Sequence, residues 1–163
     1  MNDSDFLNQQ TSNCINDCPH LKWVFRLLVF AQVVLVALLM FASQPSSYQW
    51  HILLIKFAGV GFGLWAIFTM GRYINISPKL KENALLRTSG PYRFVRHPMY
   101  LALVVFCGAF VLSNISLYTF ALWLALLFIL GIKINYEERI LRSRFPDYSS
   151  YAKKTKRIIP FLY

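Results

Sequence analysis

The sequence predicts an all-α protein that crosses a membrane about four times. Three observations carry that reading. Hydrophobic residues make up 56% of the 163-residue chain and the mean hydropathy is +0.44, more apolar surface than a soluble domain of that length can hide. The apolar residues gather into runs long enough for membrane helices. The basic residues lie beside those runs, so the net charge of +10 is explained by cytoplasmic loops and anionic headgroups and does not imply nucleic acid.

The elements follow in order. Residues 1–20 are rich in Asn, Asp, Ser and Gln and read as a polar tail ahead of one membrane domain, 21–163. They lack the basic start of a secretory signal, so the first apolar run reads as an anchor that stays. Cys14 and Cys18, with His20 nearby, form a weak metal signal, because a zinc site wants four ligands. The first span covers residues 23–42, with Arg26 near its start, where a long side chain can reach the interface. The second covers residues 50–70, and Gly59, Gly61 and Gly63 in it suggest close packing against a neighbouring helix. A polar connection spans 71–98. A third apolar helix covers 99–113, Ser113 and Asn114 make a turn, and a fourth helix covers 115–134. Apolar residues Ile134, Ile140, Leu141 and Phe145 recur at helical spacing, so the fourth helix is expected to run on past the membrane surface. Cys107 lies inside an apolar run and reads as a small packing residue.

Charge sets the expected topology. Of 17 Lys and Arg, six lie in 71–98 and eight from Lys133 onward, and the other two loops have none. The positive-inside rule then places both termini and the 71–98 loop in the cytoplasm.

The chemistry-bearing stretch is 89–100, Ser-Gly-Pro-Tyr-Arg-Phe-Val-Arg-His-Pro-Met-Tyr. Pro98 is suited to the first position of a helix, since its missing N–H had no partner there. His97 is then the natural cap, with its ring held near an end that favours anions. Taken singly, Arg93 and Arg96 read as lipid-phosphate contacts, and Tyr92 and Tyr100 as interfacial aromatics. Their density in one dodecapeptide favours a ligand site. Glu137 and Glu138 lie just past the fourth apolar run. Two readings stand for them: ion pairs with neighbours such as Lys133, four residues before Glu137, or a carboxylate aimed into a pocket.

Gly90-Pro91-Tyr92-Arg93-Phe94-Val95-Arg96-His97-Pro98-Met99-Tyr100, then Glu137-Glu138, then Phe145-Pro146-Asp147-Tyr148, Tyr151 and Ile159-Pro160-Phe161 together resemble the isoprenylcysteine carboxyl methyltransferase family and its phospholipid methyltransferase relatives. The likeness covers roughly residues 70–161. It implies a membrane-embedded methyltransferase that uses S-adenosylmethionine, in a cytoplasmic-side pocket closed by the C-terminal segment. Carried over by motif, the cofactor contacts are Leu85, Leu86, Arg87, Tyr92, His97, Pro98, Met99, Tyr100 and Glu137. Arg96 and Glu137 are the residues expected to carry catalysis. Lys133 takes the substrate-side position where the family has arginine; it keeps the charge but loses the bidentate fork. Pro146 stands where the family commonly has glycine. The expected acceptor is lipophilic or small: an isoprenylcysteine-like carboxylate or a lipid. Two other classes stay open. A membrane sterol or enone reductase would bind NADPH with a similar C-terminal segment, and a non-enzymatic scaffold would need neither cofactor.

Overall fold

The computed structural model describes residues 19–42, 50–71 and 88–158. Cys14 and Cys18, which gave only a weak metal signal, and the expected cofactor contacts Leu85, Leu86 and Arg87 lie outside the described residues. The described chain is all-helical: α1 (Pro19–Ala42), α2 (Trp50–Met70), a 3-10 turn (Gly90–Arg93), α3 (Pro98–Ser113), α4 (Leu117–Arg144) and α5 (Tyr148–Lys154). Trp23–Ala42, Trp50–Met70 and Leu117–Ser143 are long and apolar enough to cross a membrane, and α3 is a shorter apolar helix packed among them. The chain is thus a polytopic membrane protein.

The helix ends follow from local chemistry. Pro98 opens α3 with His97 at its cap, and the His97 carbonyl accepts the first two amides, from Tyr100 and Leu101. Asn114 closes α3. Ser116 caps α4 and forms a reciprocal pair with Thr119, which starts that helix at Leu117 instead of 115. The helix then runs unbroken to Arg144, well past the 134 limit of its apolar run. It carries Glu137 and Glu138 on a rigid extension of a membrane helix.

In the bundle, α2 packs on α3, α3 on α4, and α4 on α1. Leu39, Cys107, Leu126 and Leu130 are fully buried at the centre, so Cys107 is the packing residue expected of it. The large apolar residues Phe30, Phe41, Phe57, Phe68 and Phe128 face outward, as they would toward lipid. A Cβ on Gly59 would lie 3.1 Å from the Phe106 amide nitrogen, and one on Gly63 would lie 3.2 Å from Ala102 Cβ, so both glycines let α2 approach α3 closely. Gly61 faces open space and takes no part in that packing. Gly59→Leu is expected to cost about 1–3 kcal/mol by forcing the helices apart, whereas Gly61→Ala leaves stability unchanged. Thermal unfolding in detergent compares the two.

At one end of the bundle Asn114 Nδ2 donates to the Ala42 carbonyl at 3.0 Å, which levels the end of α1 with the α3–α4 turn. The other end carries the polar residues. There the 88–97 stretch meets the extension of α4 and the C-terminal segment.

Candidate functional site

Gly90 starts the site. It has φ +62, and a Cβ there would sit 2.8 Å from Thr69 Cγ2, so only glycine lets the turn lie this close to the end of α2. The turn that follows buries Pro91 and Tyr92. Tyr92 donates to Met70 Sδ at 3.3 Å, which pins the turn to α2.

Residues 94–97 then run beside the C-terminal segment. Arg96 N donates to Lys156 O at 2.8 Å, His97 N to Arg157 O at 3.1 Å and Lys156 N to Phe94 O at 3.3 Å. This short parallel bridge joins Val95 to Lys156. Tyr151 adds a side-chain tie, donating to the Tyr92 carbonyl at 2.6 Å. Burial, partly offset by Thr155 and Arg96, pushes the Tyr151 phenol up to about 12, and burial with the charge of Glu137 does the same for Tyr92. A phenol raised above its ordinary value of 10.0 contributes fully below that pH and loses its contribution as pH climbs toward the raised value. Tyr151→Phe is therefore expected to cost about 1 kcal/mol at pH 8 and clearly less at pH 12. Thermal unfolding at the two pH values reads the difference.

Glu138 is the centre of the charge network. It is 2% exposed. Its Oε1 lies 3.0 Å from Arg96 Nε and 3.7 Å from His97 Nε2; its Oε2 lies 3.3 Å from Arg157 Nη2 and 3.4 Å from Arg142 Nη2. The contacts of Oε1 lack the alignment of a hydrogen bond. Arg96 Nη1 also donates to the carbonyls of Ala152 at 2.6 Å and Thr155 at 3.2 Å. Arg96 is one of the two residues expected to carry catalysis; its head is engaged by Glu138 and by the backbone of the C-terminal segment, which it fastens to α4. Its placement is that of a positioning residue.

Glu137 is one residue on and differently placed. Its side chain is 28% exposed. Tyr100 Oη donates to its Oε1, and His97 Nδ1 lies 3.6 Å from its Oε2. His97 is thus held between the two carboxylates and is stacked on Tyr100, with ring centroids 5.6 Å apart. The two glutamates differ: Glu138 is a buried ion-pair partner, as the first reading had it, and Glu137 is partly open. The partners of Glu138 are Arg96, His97, Arg142 and Arg157. Among the described residues, Lys133 and Glu137 form no ion pair.

Lys133 is buried. Its Nζ donates to Gln32 Oε1 at 2.6 Å and lies over the rings of Tyr100 and Phe25, 5.0 and 5.3 Å from their centroids. Tyr100 is therefore shared, with its hydroxyl on Glu137 and its face toward Lys133. Of the residues expected from motif, Tyr92, Arg96, His97, Pro98, Tyr100, Lys133 and Glu137 come together at one end of the bundle. Pro98 is buried as the first residue of α3, and Met99 beside it is 38% exposed.

Two residues of this region had not been singled out: Arg157, which with Glu138 and Tyr151 builds the closure, and Gln32, which reaches Lys133 from α1. Gln32 had a visible signal, as the sole uncharged polar side chain in an otherwise apolar run.

S-adenosylmethionine offers an amino group, ribose hydroxyls, a sulfonium cation and an adenine. The donor set fits it at Glu137, a partly open carboxylate contacted by Tyr100 and His97.

Over 144 residues the chain is 31% identical to the cobalt-zinc-cadmium resistance protein CzcN of Cupriavidus metallidurans, covering 88% of this chain and 65% of that protein. Over 138 residues it is 27% identical to the nickel-cobalt-cadmium resistance protein NccN of Alcaligenes xylosoxydans xylosoxydans, covering 79% of this chain and 62% of that one. The chain thus spans somewhat under two thirds of the length of each. The isoprenylcysteine carboxyl methyltransferase (ICMT) family model matches residues 50–143, the segment that holds the second helix, the Arg-His-Pro turn and both glutamates. On that match, the chain belongs to the ICMT family.

Proposed function

We propose that this chain is an S-adenosylmethionine-dependent methyltransferase of the membrane, acting on a lipophilic or small acceptor. The observation that supports it most is the state of Glu137, a carboxylate oriented by Tyr100 and His97 yet still partly open beside the closed Glu138 network. When bound, S-adenosylmethionine supplies a methyl group on a sulfonium, which transfers by in-line displacement, so placement and exclusion of water dominate the rate.

The chain's own residues supply those two conditions. Glu137 would accept hydrogen bonds from an amino group or ribose hydroxyls, with Tyr100 and His97 fixing its direction. Tyr92, His97, Pro98, Met99 and Tyr100 would line the pocket around the start of α3. Leu85, Leu86 and Arg87 remain contacts that family likeness assigns. Arg96, through Glu138 and the carbonyls of Ala152 and Thr155, holds the C-terminal segment in place and keeps water out. Lys133 lies on the side expected of the acceptor. A carboxylate or thiolate acceptor needs no general base; an amine would need one. By the positive-inside rule we assign this end of the bundle to the cytoplasm.

Both relatives are named for metal resistance, and that setting is carried over here as a proposal: a strain lacking the gene is expected to grow less well in raised cobalt or cadmium. The direct test supplies methyl-tritiated S-adenosylmethionine to membranes that carry the chain. Label is expected to move into the organic-soluble fraction. Membranes carrying Glu137→Ala are expected to transfer none above background. Equal transfer by both would remove the reading.

A further inference from the structure

The strap that closes the polar end is basic and apolar on its outside. It joins residues 94–97 to 155–157 through the backbone hydrogen bonds from Arg96 N, His97 N and Lys156 N. Val95, His97 and Thr155 are buried on it. Arg93, Lys153, Lys154 and Lys156 are exposed, and so is Phe94, at 58%. Among the described residues none of these four cations forms an ion pair, and Asp147 is the one acid that follows Glu138 in the sequence. Two helices fix the depth of the strap. The apolar span Trp50–Met70 has 21 residues, about 30 Å of helix, which matches a hydrocarbon core. Tyr92 is bonded to Met70 at the end of that span, and Phe94 follows just after it in the chain. Glu138, paired with Arg96, stands a similar distance along α4 from Leu117. The strap therefore lies where the hydrocarbon core ends and the headgroups begin. An apolar aromatic beside Lys and Arg at that level is the composition of a segment that lies in the interface.

We propose that the outer face of the strap, formed by Arg93, Phe94, Lys153, Lys154 and Lys156, docks on the anionic headgroups of the adjoining leaflet, so that lipid charge helps to hold the C-terminal segment shut. Phe94 enters the acyl boundary beside the end of α2, and the basic side chains meet lipid phosphates. The occupant is a lipid surface because the patch lies at interfacial depth and its unpaired cations are complementary to a plane of negative charge. The strap is then held from two sides. Arg96 and Arg157 fasten it from within, through Glu138; Phe94 and the lysines fasten it from without. The proposal rests on the geometry of the strap and stands whether or not the site takes S-adenosylmethionine.

The test places the full chain in nanodiscs of phosphatidylcholine alone and of phosphatidylcholine mixed with phosphatidylglycerol. Hydrogen exchange at the Arg96, His97 and Lys156 amides, read by mass spectrometry, reports opening of the strap. In the wild type, exchange is expected to be roughly tenfold slower in the anionic discs, the effect of one or two basic residues at such a surface. Raised salt is expected to remove most of that difference. A variant carrying Lys153→Gln, Lys154→Gln and Lys156→Gln together is expected to lose most of the lipid effect. Both proteins meet the same surface pH, so the comparison cancels its influence on exchange. Phe94→Ser is expected to exchange faster than wild type in both kinds of disc and to keep the lipid dependence. Equal wild-type exchange in the two discs would overturn the proposal and leave the patch to an acidic protein surface. A full lipid effect in the folded triple variant would overturn it as well, because the lipid charge would then act elsewhere on the chain.

Discussion

Glu137→Ala is expected to weaken S-adenosylhomocysteine binding by roughly 10- to 100-fold, the worth of one or two hydrogen bonds to a charged acceptor. The fold should survive the change. Glu137 is partly exposed, its Tyr100 and His97 partners keep other contacts, and the ion pairs that tie the C-terminal segment run through Glu138. Glu137→Gln keeps the shape and one oxygen acceptor, and should fall between wild type and alanine. Calorimetry gives the affinities, and an unchanged unfolding temperature shows that loss of binding is not loss of structure. A folded alanine variant with wild-type affinity would take Glu137 out of the site.

Glu138→Ala should behave in the opposite way. Removing this buried carboxylate takes away the negative charge that Arg96, Arg142 and Arg157 share, and the Oε1 contact of His97. Breaking one side of a buried ion pair typically costs about 3–5 kcal/mol. The unfolding temperature should fall steeply. The C-terminal segment, held by Arg96 and the Val95–Lys156 bridge, should become open to protease at Lys153 and Lys154. Cofactor affinity would fall as a consequence of that opening. The two adjacent glutamates thus separate by experiment: one variant loses binding with stability intact, and the other loses stability first. Equal stability losses in the two variants would contradict the division of roles.

Much of this was legible in the sequence, for physical reasons. The membrane class followed from long apolar runs, and the start of α3 followed from Pro98, which fits at the first helical position and makes His97 the cap. The extension of α4 followed from the spacing of Ile134, Ile140, Leu141 and Phe145. The division of labour between Glu137 and Glu138 was not legible. Adjacent residues on a helix point about 100° apart, and which of the two faces the Arg96 turn depends on where the 94–97 stretch docks. The role of Arg96 was hidden for the same reason, because its partners Ala152 and Thr155 are backbone carbonyls, which leave no mark in side-chain chemistry. The partner of Lys133 was missed because i,i+4 spacing pointed to Glu137 within α4. The tertiary neighbour Gln32, about a hundred residues away in sequence, took the contact instead.

The central claim is that the Glu137 end of the bundle holds S-adenosylmethionine. The measurement that tests it most directly is calorimetric titration of the purified chain in nanodiscs with S-adenosylhomocysteine, with NADPH as the parallel titrant. The account predicts saturable, one-to-one binding of S-adenosylhomocysteine in the micromolar range and none of NADPH. Binding of NADPH without S-adenosylhomocysteine, or of neither, would contradict it.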